Sequence, residues 1–146
     1  MQVKVLFLHI NDPKSKTSGD GCKNNINYEI KVTVHSKKSK FNFVQIRPDH
    51  NINEYILIGY NMYYDDDIGK AYLFKIPSED INDLIINYGT YAHGTIEALG
   101  TISKDNLKGR NCEYAIRCDP NKKKGKDFEL WNKLLKYDTE YIPDNF

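Results

Sequence analysis

Two carboxylates and one ammonium, Asp20, Glu29 and Lys31, fall within the stretch Gly19–His35, and their types and spacing could do chemistry. Tyr28, Ile30, Val32 and Val34 alternate there with Glu29, Lys31, Thr33 and His35. Strand side chains alternate with period two, so Glu29 and Lys31 point the same way from neighbouring positions of one face. A hairpin starting from Gly19-Asp20-Gly21 would bring the Asp20 carboxylate beside Glu29. Paired acidic oxygens favour a hard divalent cation, and Mg2+ takes one or two carboxylates while keeping several waters. Such a metal polarises a phosphate, lowers the pKa of a bound water and steadies a leaving oxygen. A lysine beside it can hold an attacking water or a developing charge. The competing reading is a half-buried strand carrying two solvated charges of opposite sign.

These groups need elements to position them. Residues 3–10 read as a buried strand, ended by Asn11-Asp12-Pro13. Residues 11–25 are polar and glycine-containing, a loop, and residues 26–35 are the alternating strand. Ser36-Lys37-Lys38-Ser39-Lys40 is a basic turn. Phe41 to Arg47 is expected as a short helix halted at Pro48. Glu54 to Tyr60 reads as a strand covered on both faces, because Tyr55-Ile56-Leu57-Ile58 is an unbroken apolar run. An acidic loop around Asp65, Asp66 and Asp67 leads to a strand over Lys70–Ile76, which makes a hairpin with its predecessor. Ser78 is placed to cap a helix with Glu79 and Asp80 in its first turn, Ile81, Leu84, Ile85 and Tyr88 as its apolar stripe, and Gly89 at its end. Residues 113–118 suggest a strand. Asp127 to Tyr137 suggests a helix with Phe128, Trp131, Leu134 and Leu135 on one side. The tail to Phe146 is polar.

The chain has 146 residues, 40% hydrophobic and 28% charged, with a net charge of +1. It is therefore expected to be one globular domain, 1–146, of α/β class: a central mixed β-sheet flanked by helices. Three cysteines, Cys22, Cys112 and Cys118, without a Cys-x-x-Cys pair argue against a disulfide framework or structural zinc. They read as reduced thiols in a cytoplasmic protein. The opening apolar run is too short to span a bilayer, so no membrane partner is expected.

Asp20, then Glu29-Ile30-Lys31, then Phe41–Arg47, then the strand Tyr55–Tyr60 resemble the PD-(D/E)xK nuclease superfamily, and more narrowly the small type II restriction endonucleases. Tyr91-Ala92-His93-Gly94-Thr95 resembles a His-Gly-Thr element of some of these enzymes. The resemblance covers roughly residues 18–95. It implies a restriction-endonuclease-like core and a Mg2+ ion held by Asp20, Glu29 and the main-chain carbonyl of Ile30. It also implies that Lys31 positions or activates the water and that Gln45 supports the cluster. The product would be a hydrolysed phosphodiester of double-stranded DNA. Dimeric members match a palindromic site with their own two-fold axis, so a homodimer is expected, with a DNA methyltransferase acting on the same site as its counterpart. The sequence departs from the family ahead of Asp20, where strand and loop stand in place of an N-terminal helix: the helix is absent, or the chain is part of a longer protein. Asp12 is a second candidate for the first acid, and Asp20 is preferred because its spacing to Glu29 suits one tight hairpin.

DNA contacts are expected from His35, Lys37, Lys38, Lys40, Arg47, His93, Thr95, Lys108 and Arg110. Arg47 has the geometry to read guanine bidentately, or pairs with an acid. The basic residues flank the acidic site while Asp and Glu concentrate at 65–67 and 79–83, a segregation that a DNA groove needs and that ordinary surfaces also show. No histidine pair has the helical spacing of a zinc site. The alternative function is a non-catalytic nucleic-acid-binding or interaction module on a decayed nuclease fold. The position of Asp20 relative to Glu29 separates the two.

Overall fold

A computed structural model describes residues 10–36, 40–65 and 68–139. The strand expected over residues 3–10 and the polar tail lie mostly outside these, as do Lys37, Lys38, Asp66 and Asp67.

Among the described residues the first two strands form the expected hairpin. β1 (Gly21–Lys23) turns at Asn24-Asn25, both at positive φ, into β2 (Ile26–His35), with Gly21 opposite Tyr28. β3 follows over Phe41–Ile46, where a short helix was expected. Its physical reason is period two: Phe41 and Phe43 point inward and are fully buried. An irregularity between Phe43 and Ile46, with Gln45 at φ 56, shifts the register and returns Ile46 to the core. β4 (Glu54–Asp65) runs parallel to β2, and β5 (Ile68–Pro77) returns antiparallel to β4.

α1 (Ser78–Tyr88) buries Ile81, Leu84 and Ile85 as its spacing predicts. Ser78 is its first residue and not its cap; Pro77 holds the cap position and no side chain caps the helix. Gly89 ends it in extended backbone, its N–H donating to the Ile85 carbonyl at 2.8 Å. A short β6 (Thr90–Tyr91) and a long irregular loop lead to β7 (Tyr114–Cys118) and α2 (Gly125–Leu135). α2 presents Leu130, Trp131 and Leu134 to the core, while Phe128 and Leu135, expected on that stripe, are exposed.

The strands form two sheets, β1-β2-β4-β5 and β3-β7-β6, and the fold is mixed α/β with strands predominating. The main core lies between them. Tyr55, Leu57, Tyr72, Phe74 and Ile76 of the larger sheet meet Phe41, Phe43, Tyr114 and Ile116 of the smaller, with the buried faces of both helices closing it. A second cluster, Tyr28 and Ile56 with Ile10, Ile26, Ile30, Ile58 and Leu73, lies on the opposite face of the larger sheet. Tyr55, Ile56 and Leu57 are accordingly all buried.

The partner register fixes which face of β2 is which. Glu29, Lys31, Thr33 and His35 stand beside Tyr55, Leu57, Gly59 and Asn61, so the charged face of β2 is the one turned toward the main core. The apolar positions Val32 and Val34 are about half exposed, at 50% and 49%.

Burial also fixes protonation. Cys118 is fully buried, and that burial pushes its thiol from 9.0 up to about 12. Tyr137 is pushed from 10.0 up to about 12 by burial and by its 2.7 Å hydrogen bond to Asp80. On unfolding both groups recover their ordinary values, so the unfolded chain releases protons first as pH rises. Their contribution to stability is complete below about pH 9 and is lost progressively toward about pH 12. The urea midpoint, followed by Trp131 fluorescence, is expected to fall across that window. A constant midpoint would contradict it.

Candidate functional site

The Gly19-Asp20-Gly21 turn folds tightly around β2. Gly19 has φ +84, and a Cβ there would overlap the Tyr28 carbonyl oxygen and press on Ile52. Only glycine tolerates that combination of left-handed backbone and close approach. The turn aims the Asp20 N–H at the Tyr28 carbonyl, 2.7 Å away. The Asp20 carboxylate then accepts a 2.8 Å hydrogen bond from the Ile30 N–H. It continues the ladder past the point where β1 begins. A strand residue turns its N–H and C=O to the same side, so the Ile30 carbonyl points to the edge that carries Asp20.

Glu29 and Lys31 pair with each other on the core-facing side, Oε1 to Nζ at 2.6 Å. Their side chains are only 14% and 15% exposed, so this is not the fully solvated pair of the competing reading. Asp20, in the turn ahead of β1, thus meets β2 at the Ile30 N–H, next in sequence to Glu29. Asp20 keeps a second carboxylate oxygen beside the Ile30 carbonyl at this edge, and Glu29 keeps a second oxygen on the neighbouring core-facing side. Oxygen donors of this kind suit Mg2+ completed by water. Among the described residues no group of three or more His, Cys, Asp or Glu side chains is placed to hold a metal; the donor set here has only two carboxylates.

A second cluster adjoins the first through Tyr55. This residue is the in-register neighbour of Glu29 on β4. Its hydroxyl points at the Arg47 carbonyl at 3.5 Å. Burial raises the Tyr55 phenol well above its ordinary range, and the charges of Glu29 and Asp49 add to the effect. The Arg47 guanidinium reaches Glu113, with both Nε and Nη2 on the single oxygen Oε1. Glu113 is tied to the loop after β6: its main-chain N–H donates to Thr95 Oγ1 at 2.9 Å, and that hydroxyl donates to the Glu113 carbonyl. Arg47 and Thr95 are thus gathered at one end of the molecule by an acid that sequence reasoning passed over. The turn carrying Asp20 packs there too, since the Asn51 N–H donates to the Thr17 carbonyl at 2.8 Å.

The remaining expected residues are dispersed. His93, Lys108 and Arg110 are exposed on the long loop between β6 and β7. Gln45 is exposed at the β3 irregularity, and no hydrogen bond joins it to Asp20 or Glu29 among the described residues. Lys40 pairs with Asp127 at 2.8 Å, and that hydrogen bond holds its ammonium above the usual lysine range. His35 requires correction as a surface contact. It is buried, with Nδ1 3.2 Å from Asn61 Oδ1, Nε2 3.4 Å from Asp119 and its ring edge-on to Phe41. It also stands six residues along β2 from Glu29, about 20 Å at the usual strand rise. Lys37 and Lys38 lie outside the described residues.

Two missed residues, Tyr55 and Glu113, had little signal. Tyr55 sits in an apolar run that reads as core. Glu113 has no charged neighbour to mark it, and its partner Arg47 is remote in sequence.

Comparison of the chain with protein-family models, curated proteins and solved structures gives no match. No described helix is long and apolar enough to cross a membrane.

Proposed function

We propose that this protein is a Mg2+-dependent nuclease that hydrolyses phosphodiester bonds of double-stranded DNA at the Asp20–Glu29–Lys31 edge. The observation that carries this reading is the arrangement around Ile30: Asp20 on its N–H and the Glu29–Lys31 ion pair on either side of it in sequence. Asp20, Glu29 and the Ile30 carbonyl would hold the cation. When bound, the cation supplies charge neutralisation for the phosphate and a more acidic water. Lys31, held in place by Glu29, orients that water and balances charge that builds on the phosphate oxygens. Asp20 fixes the hairpin edge so that the carbonyl and the two acids keep one geometry.

The finer reading of the fold, as a restriction-endonuclease-like core, rests on this hairpin and on the parallel β2–β4 pair. The crossover between those two strands is β3 of the second sheet, where the resemblance calls for a helix. A type II site-specific enzyme acting as a cytoplasmic homodimer, with a methyltransferase acting on the same DNA site, is the corresponding biological proposal. A non-catalytic DNA-binding module is the second reading. It is favoured by one fact: Asp20 and Glu29 each already have a partner within the fold.

The test is incubation of the purified protein with a large plasmid and Mg2+, beside Glu29→Ala. Discrete fragments that disappear in the variant are expected. DNA binding without cleavage in either protein would select the second reading. Affinity is expected to fall steeply with salt, since each phosphate contact releases counterions.

A further inference from the structure

The Arg47–Glu113 pair is incomplete in a way that points to a ligand. A guanidinium and a carboxylate normally meet as two forks, two N–H groups on two oxygens. Here both donors converge on Oε1 of Glu113. The other oxygen, Oε2, is buried and has no hydrogen-bond partner among the described residues. Gly94 stands directly against Oε2, where a Cβ would collide with it. That oxygen is therefore walled in by the loop. The exposure is lopsided as well: the Arg47 side chain is 35% exposed and that of Glu113 only 12%. The guanidinium faces outward and the carboxylate lies behind it.

We propose that Arg47 is a phosphate-binding residue whose site is occupied in the free protein by Glu113, an internal stand-in for a phosphate of the DNA backbone. The inference rests on the nucleic-acid reading above and adds to it the residue that grips the backbone and the acid that competes with it. Guanidinium and phosphodiester match as two-pronged partners, with two non-bridging oxygens on offer where Glu113 presents one. Tyr55 sets the distance between the two parts of the site, because it neighbours Glu29 in the sheet and reaches the Arg47 carbonyl.

The experiment is binding of a short mixed-sequence fluorescein-labelled duplex, followed by anisotropy in Ca2+ over a salt series. The proteins are the wild type, Glu113→Gln, Arg47→Ala and the double variant. Glu113→Gln should tighten binding about two- to fivefold, the worth of a partly exposed ion pair that no longer has to be broken. Arg47→Ala should weaken binding and reduce the salt slope by about one, the loss of one phosphate contact. The double variant should match Arg47→Ala. Wild-type binding with no change in Glu113→Gln overturns the inference and leaves the nucleic-acid reading standing. Absence of duplex binding by every protein overturns both. Should Glu113→Gln fail to fold, Arg47→Ala decides: unchanged affinity and slope overturn the proposal.

Discussion

Lys31→Ala is expected to slow plasmid cleavage by about 10²- to 10³-fold while leaving duplex affinity nearly unchanged. That is the usual loss when one preorganised charge-stabilising donor is removed. Its ammonium is mostly covered and sits 2.6 Å from Glu29, so it is held at one place before substrate arrives. The variant also leaves the Glu29 carboxylate without its cation. Glu29 is itself only 14% exposed, so the stability cost is expected to fall between that of a surface pair and a buried one, about 2 kcal/mol. A thermal melt of the variant therefore separates lost chemistry from lost fold. Lys31→Arg is a stricter comparison: it keeps the charge but replaces a compact ammonium by a planar fork, and should recover little of the rate. Cleavage at the wild-type rate in Lys31→Ala would reduce Lys31 to a structural partner of Glu29.

The hairpin was legible because its signals are local. Gly19 and Gly21 bracket a turn, and strict alternation over Tyr28–His35 requires a strand of that length. The same alternation gave no warning of which face meets the main core. Pattern alone would cover Val32 and Val34 and expose Glu29 and Lys31. The structure does the reverse, because β2 takes its facing from β4, and the register with Tyr55 and Leu57 turns the charged side inward. Sheet registry is a non-local property, set by a strand that begins some twenty residues later. The error at Phe41–Arg47 has the same origin. Pro48 marks an end equally well for a helix or a strand, and the choice falls to Phe41 and Phe43, whose burial depends on β7 and α2 far along the chain. The Arg47–Glu113 pair spans 66 residues, and no spacing rule reaches that far.

Trp131→Ala is expected to have the largest effect on stability, about 3–5 kcal/mol. The indole is where helix, larger sheet and smaller sheet meet: its ring lies 4.9 Å from Tyr72, 5.8 Å from Phe74 and 5.7 Å from Phe41 between centroids. The contacts with Tyr72 and Phe74 are edge-on, at 85° and 86°, the arrangement that aromatic quadrupoles favour. Removing the ring leaves a cavity walled by rigid aromatic groups, which cannot collapse into it as aliphatic chains partly do. Urea unfolding by circular dichroism measures the loss directly, and a thermal melt is expected to fall by about 10 °C or more for a domain of this size. The effect bears on the site through Phe41, which packs against Trp131 on one side and heads the strand that ends beside Arg47 on the other. Loosening β3 at its start should therefore weaken duplex binding through Arg47 more than it disturbs the Asp20 hairpin, which is held by its own turn. A variant that loses less than about 1 kcal/mol, no more than an average point mutation, would show that α2 is not a keystone of the core.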